Sequence, residues 1–133
     1  MARLWLRGGD SPLEKVAPVC KAEDVLEARK EVQAVAVSPK ITDYVVAITS
    51  ATRDDAALRL GVSPRGTLHL LRMSQALAAM DGREYVLPDD VKRAAVPVLA
   101  HRVLSSAQNR LKLSRSAPEI IERIVASIPS PVD

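Results

Sequence analysis

The sequence predicts an all-α domain, a small irregular helical bundle, from three observations. Apolar residues fill 47% of the 133 positions, yet Phe is absent and aromatics total 2%, so Leu, Val, Ile and Ala must build the core. That set suits helices better than a sheet. Apolar side chains recur at helical spacing, as in Ile41, Tyr44, Val45, Ile48 and Ala51. Helix starts are also explicit. Ser38-Pro39 and Ser63-Pro64 each place a hydroxyl acceptor before a proline whose missing N–H costs nothing, and Ser116-Ala117-Pro118-Glu119 reads as a capping box.

In chain order, residues 1–20 hold two glycines, two prolines and mixed charge, and read as a connector leading into a domain over 21–133. KAEDVLEARKEVQAV carries acids early and Val25, Val32 and Val35 at helical spacing, which predicts the first helix. The second opens at Ser38-Pro39 and ends near Arg53. DDAALRLG (54–61) reads as a loop with room for one helical turn. A third helix runs from Ser63 to Asp81-Gly82, where glycine suits a left-handed C-terminal residue. Its Leu68, Leu70, Leu71, Met73, Leu77 and Met80 cover more than one face, which predicts the centre of the core, with both methionines as filler. A very short β segment fits Tyr85-Leu87. Asp89 and Asp90 suit the first turn of the next helix, and Pro97 is expected to divide it into pieces at 88–96 and 97–106. Ile120, Ile121, Ile124, Val125 and Ile128 mark the last.

Composition limits the chemistry. The single cysteine, Cys20, makes no internal disulfide or zinc cluster and sits in the amino-terminal connector with no basic group pre-arranged to activate it. No apolar run approaches a membrane span, and MARLWLRGGD is too short and interrupted for a signal peptide, so the expected compartment is the cytoplasm. His69 and His101 lie on different predicted helices in no metal-ligand pattern, and no metal site is expected. Asp54-Asp55 and Asp89-Asp90 read as solvated loop and helix-start residues. None of the five glycines precedes a lysine, so the chain holds no P-loop and no ATP hydrolysis of its own is expected. The net charge is +3, but residues 91–118 contain no acid while Lys92, Arg93, Arg102, Arg110, Lys112 and Arg115 all fall there, a stretch suited to an acidic partner.

One residue stands out. Arg65 falls in the first turn of the third helix, where the dipole disfavours a cation and backbone N–H groups lack partners. It is either simply solvated, or it faces the same anion as the helix terminus, with Ser63 and Pro64 setting the helix start.

Y-V-V-A-I…A-T-R (44–53), L-G-V-S-P-R-G (60–66), D-G-R-E-Y-V-L-P-D-D-V (81–91) and L-A-H-R (99–102), in this order, resemble the carboxy-terminal part of a MoxR-family AAA+ ATPase, a relative of the magnesium chelatase ATPase lid. The resemblance spans residues 16–129. It implies a helical lid domain following a P-loop core absent from this sequence, with Arg65 as the sensor 2 arginine that acts in catalysis only together with that core, and Gly66 as a further nucleotide-binding support. It further implies ATP and Mg²⁺ in the parent protein, none bound by this chain alone, and neighbouring subunits of a ring as partners. A chaperone-like role on proteins carrying von Willebrand factor A domains is implied as well. Gly66 stands where the family more often has alanine, and Leu87 where a threonine cap is common. The alternative is a stand-alone nucleic-acid-binding or protein-interaction module using the basic 92–115 stretch, although scarce aromatics remove the stacking platforms that single-strand binders use. Neither nucleic acid nor membrane is the expected partner.

Overall fold

A computed structural model of the chain describes residues 16–106 and 116–131. Its elements are helices α1 (Ala22–Ala34), α2 (Pro39–Asp54), α3 (Pro64–Met80), α4 (Pro88–Leu99) and α5 (Ala117–Ser127), with short strands β1 (Leu58–Leu60) and β2 (Leu104–Ser105) and a 3₁₀ turn at Ala100–Arg102. The fold is the expected small helical bundle.

Local signals set the helix limits. Ser38 Oγ accepts the Ile41 N–H at 3.2 Å, and the Lys21 N–H donates to Asp24 Oδ2 at 2.8 Å. At the start of α5 the Glu119 carboxylate accepts the Ser116 N–H at 2.7 Å. α3 ends as the glycine predicts. Gly82 takes φ +73°, its N–H donates to the Ala79 carbonyl at 2.9 Å, and that of Arg83 donates to Ala78 at 2.9 Å. These two bonds satisfy carbonyls that the helix end would otherwise leave without donors.

The core is aliphatic. Ile48, Leu70, Leu99, Ile120 and Ile121 are fully buried, and each contributes roughly 1.5–3 kcal/mol by leaving water. α4 supplies Val91, Ala94, Ala95, Val98 and Leu99, whereas α3 buries only Leu70 and Ala78 among its apolar side chains. The centre of the core is therefore α4, not α3. Met73 and Met80 are 42% and 82% exposed, so neither is core filler. The inward face of α3 carries Gly66, Ser74, Gln75 and Ala78 instead, small or hydrogen-bonded groups, and this helix packs most extensively on α4. Gln75 Nε2 donates to the Val35 carbonyl at 2.7 Å and joins α3 to the chain after α1. No residue of α1 is buried, and Val25 and Leu26 are about half exposed.

Three expectations about elements change. Residues 54–61 hold β1, because Leu58 and Leu60 pair antiparallel with Ser105 and Leu104, a partner 44 residues or more away in sequence. The β contact near Tyr85-Leu87 is one parallel bridge between Tyr85 and Ala36. Pro97 does not divide its helix, and the residues after it form the 3₁₀ turn and β2. It lies on the exposed side of α4, while Val98 and Leu99 anchor the next turn in the core.

Candidate functional site

The amino-terminal end of α3 is held from outside. Thr52 and Arg53, at the end of α2, grip both main-chain groups of Val62. The Val62 N–H donates to Thr52 Oγ1 at 2.9 Å, and Arg53 Nε donates to the Val62 carbonyl at 2.9 Å. Thr52 in turn donates to the Thr49 carbonyl at 2.6 Å, and Thr67 Oγ1 donates to Thr49 Oγ1 at 3.0 Å. Thr49 and Thr52 are fully buried, so these hydroxyls replace water that the site excludes. Gly61 fits because it has no side chain: a Cβ there would lie 2.5 Å from the Thr52 carbonyl oxygen and 2.7 Å from Arg53 Cα.

Ser63 caps the helix, with its Oγ 3.4 Å from the Gly66 N–H and its carbonyl accepting from Gly66 at 2.8 Å and Thr67 at 3.2 Å. Pro64 brings no N–H, and the bonds to Ser63 come from Gly66 and Thr67, so the Arg65 N–H is not used by the cap. Arg65 is exposed, and among the described residues its side chain has no hydrogen-bond or ion-pair partner. Gly66 is buried. A Cβ there would meet Val62 Cγ1 at 2.5 Å and Arg102 Cδ at 3.7 Å, so the glycine admits the same Val62 that α2 holds. The Thr49, Thr52 and Arg53 support was not singled out from sequence. Its signal was two threonines three residues apart on the apolar stripe of α2.

At the other end of α3 the polar groups are spent on one another. Asp90, 1% exposed, receives Arg83 through both oxygens at 2.6 and 2.7 Å and accepts the Leu87 N–H at 2.8 Å. Asp81 bridges Arg83 at 3.0 Å and Arg93 at 2.7 Å. Burial pushes the Asp90 carboxyl up, but Arg83 and the Leu87 N–H outweigh it and hold the group below the usual carboxylate range. Asp81 is lowered by Arg93 and Arg83. Asp90 is thus a buried staple of the α4 start rather than a solvated residue, and it serves the Leu87 N–H where the N-cap side chain offers no acceptor.

Of the six basic residues in the 92–115 stretch, the three that the structure describes, Lys92, Arg93 and Arg102, do not share one site. Lys92 pairs with Asp89 at 3.0 Å, and Arg93 with Asp81. Arg102 lies beside Gly66 and donates through Nε to the Val98 carbonyl at 2.9 Å. Asp81 and Gly66 are at opposite ends of α3, roughly 22 Å apart at 1.5 Å per residue, so Arg93 and Arg102 cannot face one small ligand. Arg110, Lys112 and Arg115 lie outside the described residues. No group of three or more His, Cys, Asp or Glu able to hold a metal exists among the described residues.

The described residues form a bundle of five short helices with a two-stranded ribbon, and Arg65 stands in the first turn of the serine-capped α3. The AAA lid domain family model matches residues 50–124. The chain is 34% identical over 129 residues to the uncharacterized protein YeaC of Bacillus subtilis, covering 97% of this chain and 40% of that protein. It is 36% identical to Protein MoxR of Paracoccus denitrificans over 71% of this chain and 32% of that one. Against Chaperone MoxR1 of Mycobacterium tuberculosis it is 31% identical over 68% of this chain and 26% of the relative. The crystal structure of a Cytophaga hutchinsonii protein provisionally described as an ATPase superposes with a TM-score of 0.83 at 28% identity, covering 99% of this chain and 42% of that one. The chain belongs to the AAA lid domain family and is the lid of a MoxR-type AAA+ ATPase. It spans less than half the length of these relatives.

Proposed function

We propose that this lid carries the sensor 2 arginine of a MoxR-type ATPase and couples ATP binding and hydrolysis to chaperone-like remodelling. The observation that carries the reading is Arg65: an exposed guanidinium without a partner among the described residues, on a helix start whose backbone is braced from α2. A positioned cation stabilises the charge spread over a transferred phosphoryl group, and bracing before nucleotide arrives removes the cost of organising it later. The fit is partial by design. Arg65 and its N–H suit phosphate oxygens, while the base pocket, the P-loop and the Mg²⁺ ligands are assigned to a core preceding this domain, with residues 1–20 as the connector.

A lid reading phosphate on one side and packed on a core on the other converts nucleotide state into a hinge angle, which a ring can pass between subunits. Ring neighbours and a von Willebrand factor A domain protein are the proposed partners, and the cytoplasm the proposed compartment. No helix among the described residues is long and apolar enough to cross a membrane. In the longer protein where this lid follows its core, Arg65→Ala is expected to lower ATP turnover about 100-fold without changing the melting temperature. Unchanged hydrolysis would remove the sensor role.

A further inference from the structure

We infer that Arg53 is a positioning residue for the phosphate-facing end of α3, acting through its Nε–H bond to the Val62 carbonyl. The inference rests on the reading of Arg65 above. Val62 directly precedes the cap residue Ser63, so the orientation of its peptide groups sets the direction in which α3 departs. Its N–H and C=O are bonded at 2.9 Å each to consecutive residues of α2. With both groups fixed, and the side chain 1% exposed beneath Gly66, this unit cannot rotate without breaking a bond or a close contact.

The two grips differ in kind. Thr52 is buried inside the bundle and would be retained for packing whatever the chain did. Arg53 is exposed, and an exposed residue that only capped the last turn of α2 could be lysine as well, since either cation suits a helix C-terminus. Arginine instead offers an in-plane Nε–H close to its stem, which a lysine ammonium at the end of a flexible chain does not reproduce. The carboxy-terminal end of α2 also meets the amino-terminal end of α3 here.

Four measurements test the assignment. In the longer protein, Arg53→Ala is expected to lower kcat about tenfold, the loss caused by a displaced catalytic cation. Arg53→Lys should do no better, and Arg53→Ala added to Arg65→Ala should cost nothing further. Recovery by lysine, or an additive loss on the Arg65→Ala background, would mean that Arg53 acts by its own charge and would overturn the positioning role. In the 133-residue chain without nucleotide, Arg53→Ala should speed amide exchange at Val62 and Arg65 about tenfold while leaving Ile48 and Val91 unchanged. Equal exchange at Val62 also overturns it. If Arg65→Ala leaves hydrolysis untouched, the phosphate reading fails and the positioning role falls with it, whereas the exchange result still reports whether Arg53 fixes the helix start.

Discussion

At the carboxy-terminal end of α3, two arginines and two aspartates neutralise one another, and Arg83 and Asp90 close a buried bidentate pair. At the amino-terminal end, neutral hydroxyls and one arginine bind main chain or, in the case of Thr67 and Thr49, one another, and Arg65 has no partner among the described residues. Both regions fix a helix start, that of α4 and that of α3. A charge already matched inside the fold has nothing left to offer a ligand; a brace built from hydroxyls and carbonyls fixes geometry without cancelling the cation it presents. The difference separates stability from recognition along a single helix.

Breaking the charged end should have the larger effect on stability. Arg83→Ala leaves Asp90 buried without its partner and should destabilise the chain by about 3 kcal/mol in urea unfolding. The same pair sets an acid limb. Asp90 titrates below its ordinary 3.8 in the folded chain, so its contribution is fully present above the unfolded value and is lost as pH falls through the folded one. Asp90→Asn should therefore flatten the loss of stability seen below about pH 4. If the wild type shows no such limb, the pair is weaker than its geometry implies.

Breaking the brace should cost less. Gly61→Ala forces a methyl group against the Thr52 carbonyl, and about 2 kcal/mol is expected in thermal unfolding. Thr52→Val leaves the buried Val62 N–H without its acceptor and should cost about 1.5 kcal/mol. Neither variant should change amide exchange near Gly82, and a change there would show the two ends to be one cooperative unit. The smallest effect belongs to Met80→Lys: at 82% exposure it should stay within about 0.5 kcal/mol of wild type. A loss beyond about 2 kcal/mol would return this methionine to the core that its helical spacing first suggested.

Most helix limits were legible because they are local. Ser38, Ser63, Ser116 with Glu119, and Gly82 act within four residues of themselves, and the structure places helix ends where they stand. The stripe Ile41, Tyr44, Val45, Ile48 is buried as its period implies. The methionines of α3 were misplaced because periodicity reports that a face is apolar, not which face the neighbouring helix covers. Arg65 was legible as an oddity against the dipole, and the family motif gave it a role to test. Its support was not, since Thr49, Thr52 and Arg53 meet Val62 and Thr67 only after a turn and a strand bring nine to eighteen residues of chain back.

By itself, then, the sequence determined the all-α class, the caps and stops of its helices, and the one arginine set against a helix dipole, because each depends on neighbours a few residues away. Tertiary structure alone decided that Leu58–Leu60 would be a strand, that α4 would run through Pro97, and that Lys92 and Arg93 would be paired while Arg65 met no partner among the described residues. Those outcomes turn on which backbone and which charge arrive from distant parts of the chain, and spacing along one helix carries no record of them.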